Sequence, residues 1–488
     1  MGNKNEESYR VIDEARYTAP LENAFRRFMS PIEAFAKNEA AGGLVLIFCL
    51  IVAMIVANSG LRDTYEHIIH TKIGFALGGA VLEKSLHHWI NDGLMVIFFL
   101  VVGLEIKRDV MVGELSSFGK ASLPVIAAVG GMLVPALIYY SLNTSADVSR
   151  GWGIPTATDI AFAVGVLVLL GKRVPSSVVA FLLALAIADD LGAVIVIGLF
   201  YTQELYLSYL AIAAGLLGVL VLFNIMGIRA ITPYLLVGAL VWIAFLQSGV
   251  HATLSGVLVA MTIPARPKYH PVKFSQDMRS LINQFDKFTQ TSGGKRYRWS
   301  AFSSQKQASV IEEIEMAADA VASPLRKLEH ALHPLSVFFI IPVFVLANAG
   351  VELHLDSLGM LFDDTVTIGV MLGLVIGKFI GISLSTWLAV KLKIGNLPRG
   401  ATFKHILGVG LLSGIGFTMS IFVAELAFAG MTERLVAAKM GILLASAVAG
   451  ILGYSWMRFF VKPQPQEESP YEQDAEDELV GDASGESA

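Results

Sequence analysis

Residues 178–200 read VVAFLLALAIADDLGAVIVIGLF, an apolar run broken only by Asp189 and Asp190 at its centre. As a helix rising ~1.5 Å per residue, this run can cross a hydrocarbon core of ~30 Å. One carboxylate at mid-helix opposes membrane insertion by about 3 kcal/mol on translocon scales. Packing offers no return for two side by side. The pair therefore reads as an ion or proton site within a membrane.

Composition extends this reading to the whole chain. Of its 488 residues, 55% are apolar and 16% charged, whereas a soluble domain carries roughly 25% charged residues. The fold class expected is an all-α polytopic membrane protein of about twelve transmembrane helices, rather than two or three soluble domains. The lone cysteine, Cys49, argues against a disulfide framework or a thiolate metal cluster. A net charge of −5, set largely by the C-terminal tail, gives no reason to expect a nucleic-acid partner.

Candidate spans lie near residues 40–58, 90–106, 121–142, 152–171, 177–201, 205–223, 231–247, 251–264, 335–350, 366–390, 404–429 and 435–458. The second and eighth are short. With the N-terminus in the cytoplasm, 29 of the 36 basic residues fall on the cytoplasmic side, 6 outside, and Lys378 within a span. Positive-inside asymmetry then puts both termini in the cytoplasm. The expected organisation is a cytoplasmic N-terminus (1–38), spans one to eight (39–265), a cytoplasmic insertion (266–334), spans nine to twelve (335–460) and an acidic, disordered tail (461–488). No cleavable signal peptide is expected, because the first apolar run has a span's length. Leu21, Phe25, Phe28 and Ile32 recur at helical spacing, which suits a short interfacial helix. Within the insertion, Lys295, Arg296 and Arg298 near Gly293-Gly294 read as a flexible basic loop, and 311–332 as one helix with acidic residues first.

Spans three to five and ten to twelve share a layout. The middle member of each trio is interrupted by helix-poor residues: Gly153-Ile154-Pro155-Thr156-Ala157-Thr158-Asp159 in span four and Ser413-Gly414-Ile415-Gly416-Phe417-Thr418 in span eleven. Seven spans separate the trios, so they run in opposite directions. This is an inverted repeat, with the two broken helices marking the binding site. Where both helices unwind, two N-termini and two C-termini meet, each carrying about half a charge. Asp159 is placed to offset the positive ends, and Lys378 the negative ones. Dipole compensation alone would also account for both residues.

Neighbouring helix positions point ~100° apart. One of Asp189 and Asp190 should therefore face an aqueous funnel and the other a neighbouring helix, with Lys378 as its natural partner. A hard cation such as sodium takes oxygen ligands: the carboxylates, the Thr158 hydroxyl, freed carbonyls and water. Protons compete for the same carboxylates, so alternating access becomes exchange.

The strings Thr158-Asp159-Ile160-Ala161-Phe162, Leu185-Ala186-Ile187-Ala188-Asp189-Asp190-Leu191-Gly192, Gly249-Val250-His251-Ala252-Thr253, Ile376-Gly377-Lys378 and Gly414-Ile415-Gly416-Phe417-Thr418-Met419-Ser420 closely resemble the NhaA-type bacterial sodium/proton antiporters. The resemblance covers roughly residues 34–462 apart from the insertion. It implies twelve helices with crossed broken helices in the fourth and eleventh positions, a layout of which this family is itself a standard example. It further implies electrogenic export of sodium or lithium for a larger number of protons, in the bacterial inner membrane and without a cofactor. Asp189 and Asp190 would bind the cation and protons, Thr158 and Asp159 would support the site, and Lys378 would pair with the first aspartate. Activation at alkaline pH would involve Glu105, Arg108, Asp109, Lys327 and Glu329 at the cytoplasmic funnel, with His251 matching a histidine of the pH response.

Plainer roles exist for several of these. Glu105 to Asp109 also suit an interfacial anchor with mutual ion pairs, His251 a hydrogen-bonded structural residue, and Asp92 a cap. The long insertion and Glu425 depart from the family pattern, and Glu425 reads as lying at the outer interface. Partners expected are the bilayer, sodium, lithium and protons, with room for a homodimer. Two alternatives compete: a proton-coupled carrier for an organic solute, against which stands the lack of an Arg clamp near the breaks, and an intramembrane aspartyl protease, which needs two carboxylates facing across a water. No His-Glu-x-x-His run points to a zinc protease. The protein is expected not to be an enzyme.

Overall fold

In hydrocarbon each backbone amide needs a partner within the protein, so apolar runs of this length resolve into helices. The computed structural model describes residues 39–77, 80–202, 205–267, 269, 271–291, 305–352 and 364–462. Among these, nine helices are long and apolar enough to cross a bilayer, or eleven if each of two bent pairs is one span. The predicted eighth span is a nine-residue helix, Leu254–Thr262. At ~1.5 Å per residue it covers about half a hydrocarbon core, so length and composition alone do not reach twelve. The N-terminal segment, the basic loop at 293–298 and the acidic tail lie outside the described residues.

The helices that build the site are α1 (Met95–Met111), α2 (Phe118–Leu142), α3 (Ile160–Leu169), α4 (Ser176–Phe200), α5 (Lys378–Lys391), α6 (Phe403–Leu412), α7 (Phe417–Ala427) and α8 (Thr432–Phe460). Both predicted interruptions are present. A tight 3-10 segment, Arg150–Thr156, gives way to extended backbone before α3. Between α6 and α7 the chain bends by 46°. Pro155 and the glycines at 414 and 416 explain why helix fails there, since each removes a donor or raises the entropic cost of helix.

α2 and α5 approach backbone to backbone. A Cβ on Gly130 would lie 2.6 Å from the Gly381 carbonyl oxygen, so only glycine permits this crossing. Just before α5 the chain forms a π-helical turn, Gly373–Gly377. A Cβ at Gly377 would lie 2.8 Å from Pro135 Cα, and one at Gly373 would lie 2.7 Å from Pro155 Cβ. This tight seam holds Lys378 in place.

Three features differ from the sequence reading. An antiparallel hairpin, Lys72–Leu77 with Ala80–Ser85, follows the first span, with Lys72 opposite Ser85. Its signal in the sequence is the Gly78-Gly79 dipeptide between two short runs. The single helix expected over 311–332 is divided into Gln305–Val321 and Pro324–Leu335. Pro324 has no amide to continue the first helix but suits the start of the second, where the Ser323 hydroxyl accepts from Arg326 N at 3.3 Å. The ninth span therefore begins earlier than predicted, as Pro324–Asn348.

Gly130→Val and Gly381→Val should each force α2 and α5 apart and destabilise the protein by about 1–3 kcal/mol. Thermal unfolding in detergent measures this, and an unchanged midpoint would refute the close-contact role.

Candidate ion site at two crossed helix breaks

The two breaks are joined by hydrogen bonds. Asp159 N donates to the Ile415 carbonyl at 2.7 Å, Ser420 Oγ to the Ile154 carbonyl at 2.8 Å, and Thr158 Oγ1 lies 3.1 Å from the Ser413 carbonyl. Each break thus satisfies backbone groups freed in the other, as burial away from water demands.

Asp159 serves both positive ends. Its Oδ1 accepts from Phe162 N at 3.1 Å, capping α3. Its Oδ2 accepts from Thr418 N at 3.1 Å and Thr418 Oγ1 at 2.6 Å, in the first turn of α7. One carboxylate therefore sits on two helix N-termini, where the dipoles favour negative charge. Both oxygens of Asp159 are thus engaged at helix starts, which leaves fewer lone pairs for sharing a proton across a water with Asp190, as the protease alternative needs.

The two aspartates on α4 divide as their helical offset requires. Asp189 Oδ2 accepts from Lys378 Nζ at 2.5 Å and from Thr158 Oγ1 at 2.8 Å. Asp189 and Lys378 are fully buried. The Thr158 hydroxyl carries one proton and can donate to Asp189 or to Ser413, not both. Lys378 meets Asp189 rather than the carbonyl ends of the broken helices, of which Ile154 takes a hydroxyl donor from Ser420 and Ser413 has Thr158 within reach. Asp190 points elsewhere: it lines a cavity of about 670 Å3 together with Thr158, Asp159 and Thr418. Asp189 Oδ1 and Asp190 Oδ1 are buried without hydrogen-bond partners. Such oxygens are costly unless a proton or cation joins them. No group of three or more His, Cys, Asp or Glu converges as a metal cage among the described residues. Any cation here must therefore draw on hydroxyl, carbonyl or water oxygens as well.

The same cavity extends to Glu105 and His333, with His333 Nε2 4.0 Å from Glu105 Oε1. Beside it, Arg108 bonds Asp109 at 2.9 Å and also pairs with Glu329. The structure therefore brings Glu105, Arg108, Asp109 and Glu329 together, and the mutual ion pairs of the anchor reading exist too. Lys327 faces a separate hollow that also touches Arg229 and Met316. His251 belongs to neither group. Its Nδ1 lies 3.3 Å from Thr253 Oγ1 and its ring meets Phe422 edge-on. It lines a hollow of about 390 Å3 with Asp92 and Tyr201. Sequence reasoning missed His333, although it stands four residues after Glu329 and so on the same face of one helix, a spacing that could have found it. Nor did it foresee the partner of Glu425, a mostly buried carboxylate paired with Lys439 near the end of α7.

A helical membrane bundle with paired interrupted helices crossing over buried aspartates defines a secondary ion transporter by architecture. Comparison with known proteins specifies which. The Na+/H+ antiporter 1 family profile matches residues 33–457. The Na(+)/H(+) antiporter NhaA of Sulfurimonas denitrificans is 48% identical over 444 residues, covering 91% of this chain and 98% of that protein. NhaA 1 of Saccharophagus degradans is 47% identical, covering 89% and 93%. NhaA of Helicobacter pylori is 47% identical, covering 86% and 94%. This chain belongs to the Na+/H+ antiporter 1 family.

Asp159→Ala removes a cap from two helix starts at once. It should cost roughly 1–4 kcal/mol of stability, twice a single cap, and more than Thr418→Val, which deletes one hydroxyl donor. Thermal unfolding in detergent ranks the two, and equal midpoints would contradict the double-capping role.

Proposed function

We propose that this protein is an electrogenic antiporter of the bacterial inner membrane, exporting sodium or lithium in exchange for protons and working in sodium and pH homeostasis. One observation carries the reading. Adjacent buried aspartates face different surroundings, Asp189 a lysine and Asp190 a cavity, beside two crossed helix breaks.

The charges give the exchange. In the proton-loaded state Asp190 carries a proton and Lys378 is an ammonium paired with Asp189. A sodium ion reaching Asp190 through the cavity displaces that proton. Drawing Asp189 toward the cation then deprives Lys378 of its partner, and a buried, unpaired lysine gives up its proton readily. Thr158 can turn its hydroxyl from Asp189 to the Ser413 carbonyl, leaving an oxygen lone pair for the cation. One sodium thus replaces one proton on Asp190 and one on Lys378. The loaded forms differ by one charge, so a membrane potential drives the cycle by about 2.3 kcal/mol per 100 mV.

The cavity holding Glu105 opens to the cytoplasm in this reading, with both termini on that side. Glu105, Arg108, Asp109 and Glu329 at its mouth are the proposed pH-regulating group. Lys327 and His251 stand apart from that group and would act on it through the helices they touch. The protein works in the bilayer, alone or as a homodimer, with no cofactor and no enzymatic activity.

In inverted vesicles energised by respiration, sodium or lithium should collapse the proton gradient; no response between pH 6.5 and 9 (roughly the range a histidine-like switch spans) rejects antiport. Asp190→Asn should abolish exchange while the protein still reaches the membrane, and normal exchange in this variant would contradict its role. Because the ligands must be deprotonated to bind, apparent sodium KM should rise as pH falls, by about tenfold per unit for each proton displaced. A flat KM across the same range would exclude direct competition.

A further inference from the structure

Glu425 is a mostly buried carboxylate that the exchange does not use. It lies on α7, the half-helix whose first turn holds Asp159 through Thr418. Positions 418, 422 and 425 are spaced by four and three residues and so share one face of that helix. Phe422, fully buried, packs against Phe99, Phe344 and His251, with ring centroids 5.3, 6.2 and 5.8 Å away. One turn further on, ~10 Å from Thr418 along the axis, Glu425 Oε1 lies 2.7 Å from Lys439 Nζ on α8. The other oxygen is 3.8 Å from His87 Nε2. That nitrogen donates to Asn348 Oδ1 at 2.9 Å, and Asn348 donates in turn to Asn91 at 2.9 Å. Glu425 thus links α7 to the spans Leu86–Met111, Pro324–Asn348 and Thr432–Phe460.

Stability is a poor explanation for this link. The two side chains are only 10% and 11% exposed, and at such burial desolvation offsets most of the attraction. Apolar residues of similar volume would hold the helices at least as well. The contact joins one nitrogen to one oxygen, so it can part without separating an interlocked apolar surface. It also lies toward the end of α7 away from the 670 Å3 cavity, beyond the aromatic layer at Phe422.

We propose that Glu425 and Lys439, with His87, form an outer latch: positioning residues that keep α7 seated so that Phe422 closes the ion site on the side opposite the cavity. The latch parts when the site opens to that side. It biases access without touching the transported ion, and it rests on the alternating-access reading above.

The test uses the full chain reconstituted in vesicles of known orientation, with apparent sodium KM measured from each face. Glu425→Gln/Lys439→Met removes both charges together. It should lower KM on the outer face and raise it on the cavity face, each by about fivefold, as a population shift between two states requires. Glu425→Asp keeps both charges but withdraws the carboxylate by a methylene, and should shift both values the same ways by a smaller factor. KM values unchanged on both faces, or moved in one common direction, overturn the latch. Should the double variant fail to fold, Glu425→Asp alone decides by the same criterion. Absence of sodium-driven proton movement in the unaltered protein would reject the antiport reading instead.

Discussion

Two membrane helices stop short near the middle of the bundle, and one carboxylate, Asp159, makes this tolerable. Unwound backbone in hydrocarbon carries unpaired amides and carbonyls that water cannot reach. Here the two breaks supply partners to each other, and Asp159 covers the start of both α3 and α7. The consequence reaches beyond stability. Because the crossing is held by hydrogen bonds and charge as well as by apolar contacts such as Phe162 on Phe417, polar groups remain within reach of a cavity. Polar groups are thereby tolerated within an apolar bundle that would otherwise exclude them.

The second constraint is the seam between α2 and α5. Glycine against glycine at 130 and 381, and glycines against Pro135 and Pro155, bring α5 close enough for Lys378 to meet Asp189. That lysine separates two carboxylates that are neighbours in sequence. Asp189 is held by it, while Asp190, turned ~100° around the helix, is left to the cavity. The division of labour between identical residues is thus decided by helix geometry and by one partner on another span.

Charged groups beyond the site gather toward its two ends. Glu105, Arg108, Asp109 and Glu329 cluster at the mouth of the cavity, and Glu425, Lys439 and His87 beyond Phe422. Both clusters join separate spans through buried or half-buried pairs. Such pairs stabilise weakly but are disrupted strongly when one member moves. Elements that must part and rejoin during a transport cycle can be held in this way, where an interlocked apolar core would resist.

Much of this was legible before any coordinates. The apolar runs, the helix-poor strings at 153–159 and 413–418, the intramembrane aspartates and Lys378 are local features, and the cost of charge in lipid makes them conspicuous. The hairpin at 72–85 was overlooked because its short runs carry a weak periodic signal, and the stop at Ser323-Pro324 because the acid-to-base gradient across 311–332 masked it. The pairing of Lys378 with Asp189 was implied by the family resemblance, but Lys327 standing apart from Glu329 two residues away, and Glu425 meeting Lys439 and His87, were settled only by the tertiary structure. Each depends on which faces of distant helices meet. Hydropathy records how deep a residue sits in the membrane but not its rotation about the helix axis, and that rotation is set by contacts between spans hundreds of residues apart in the chain.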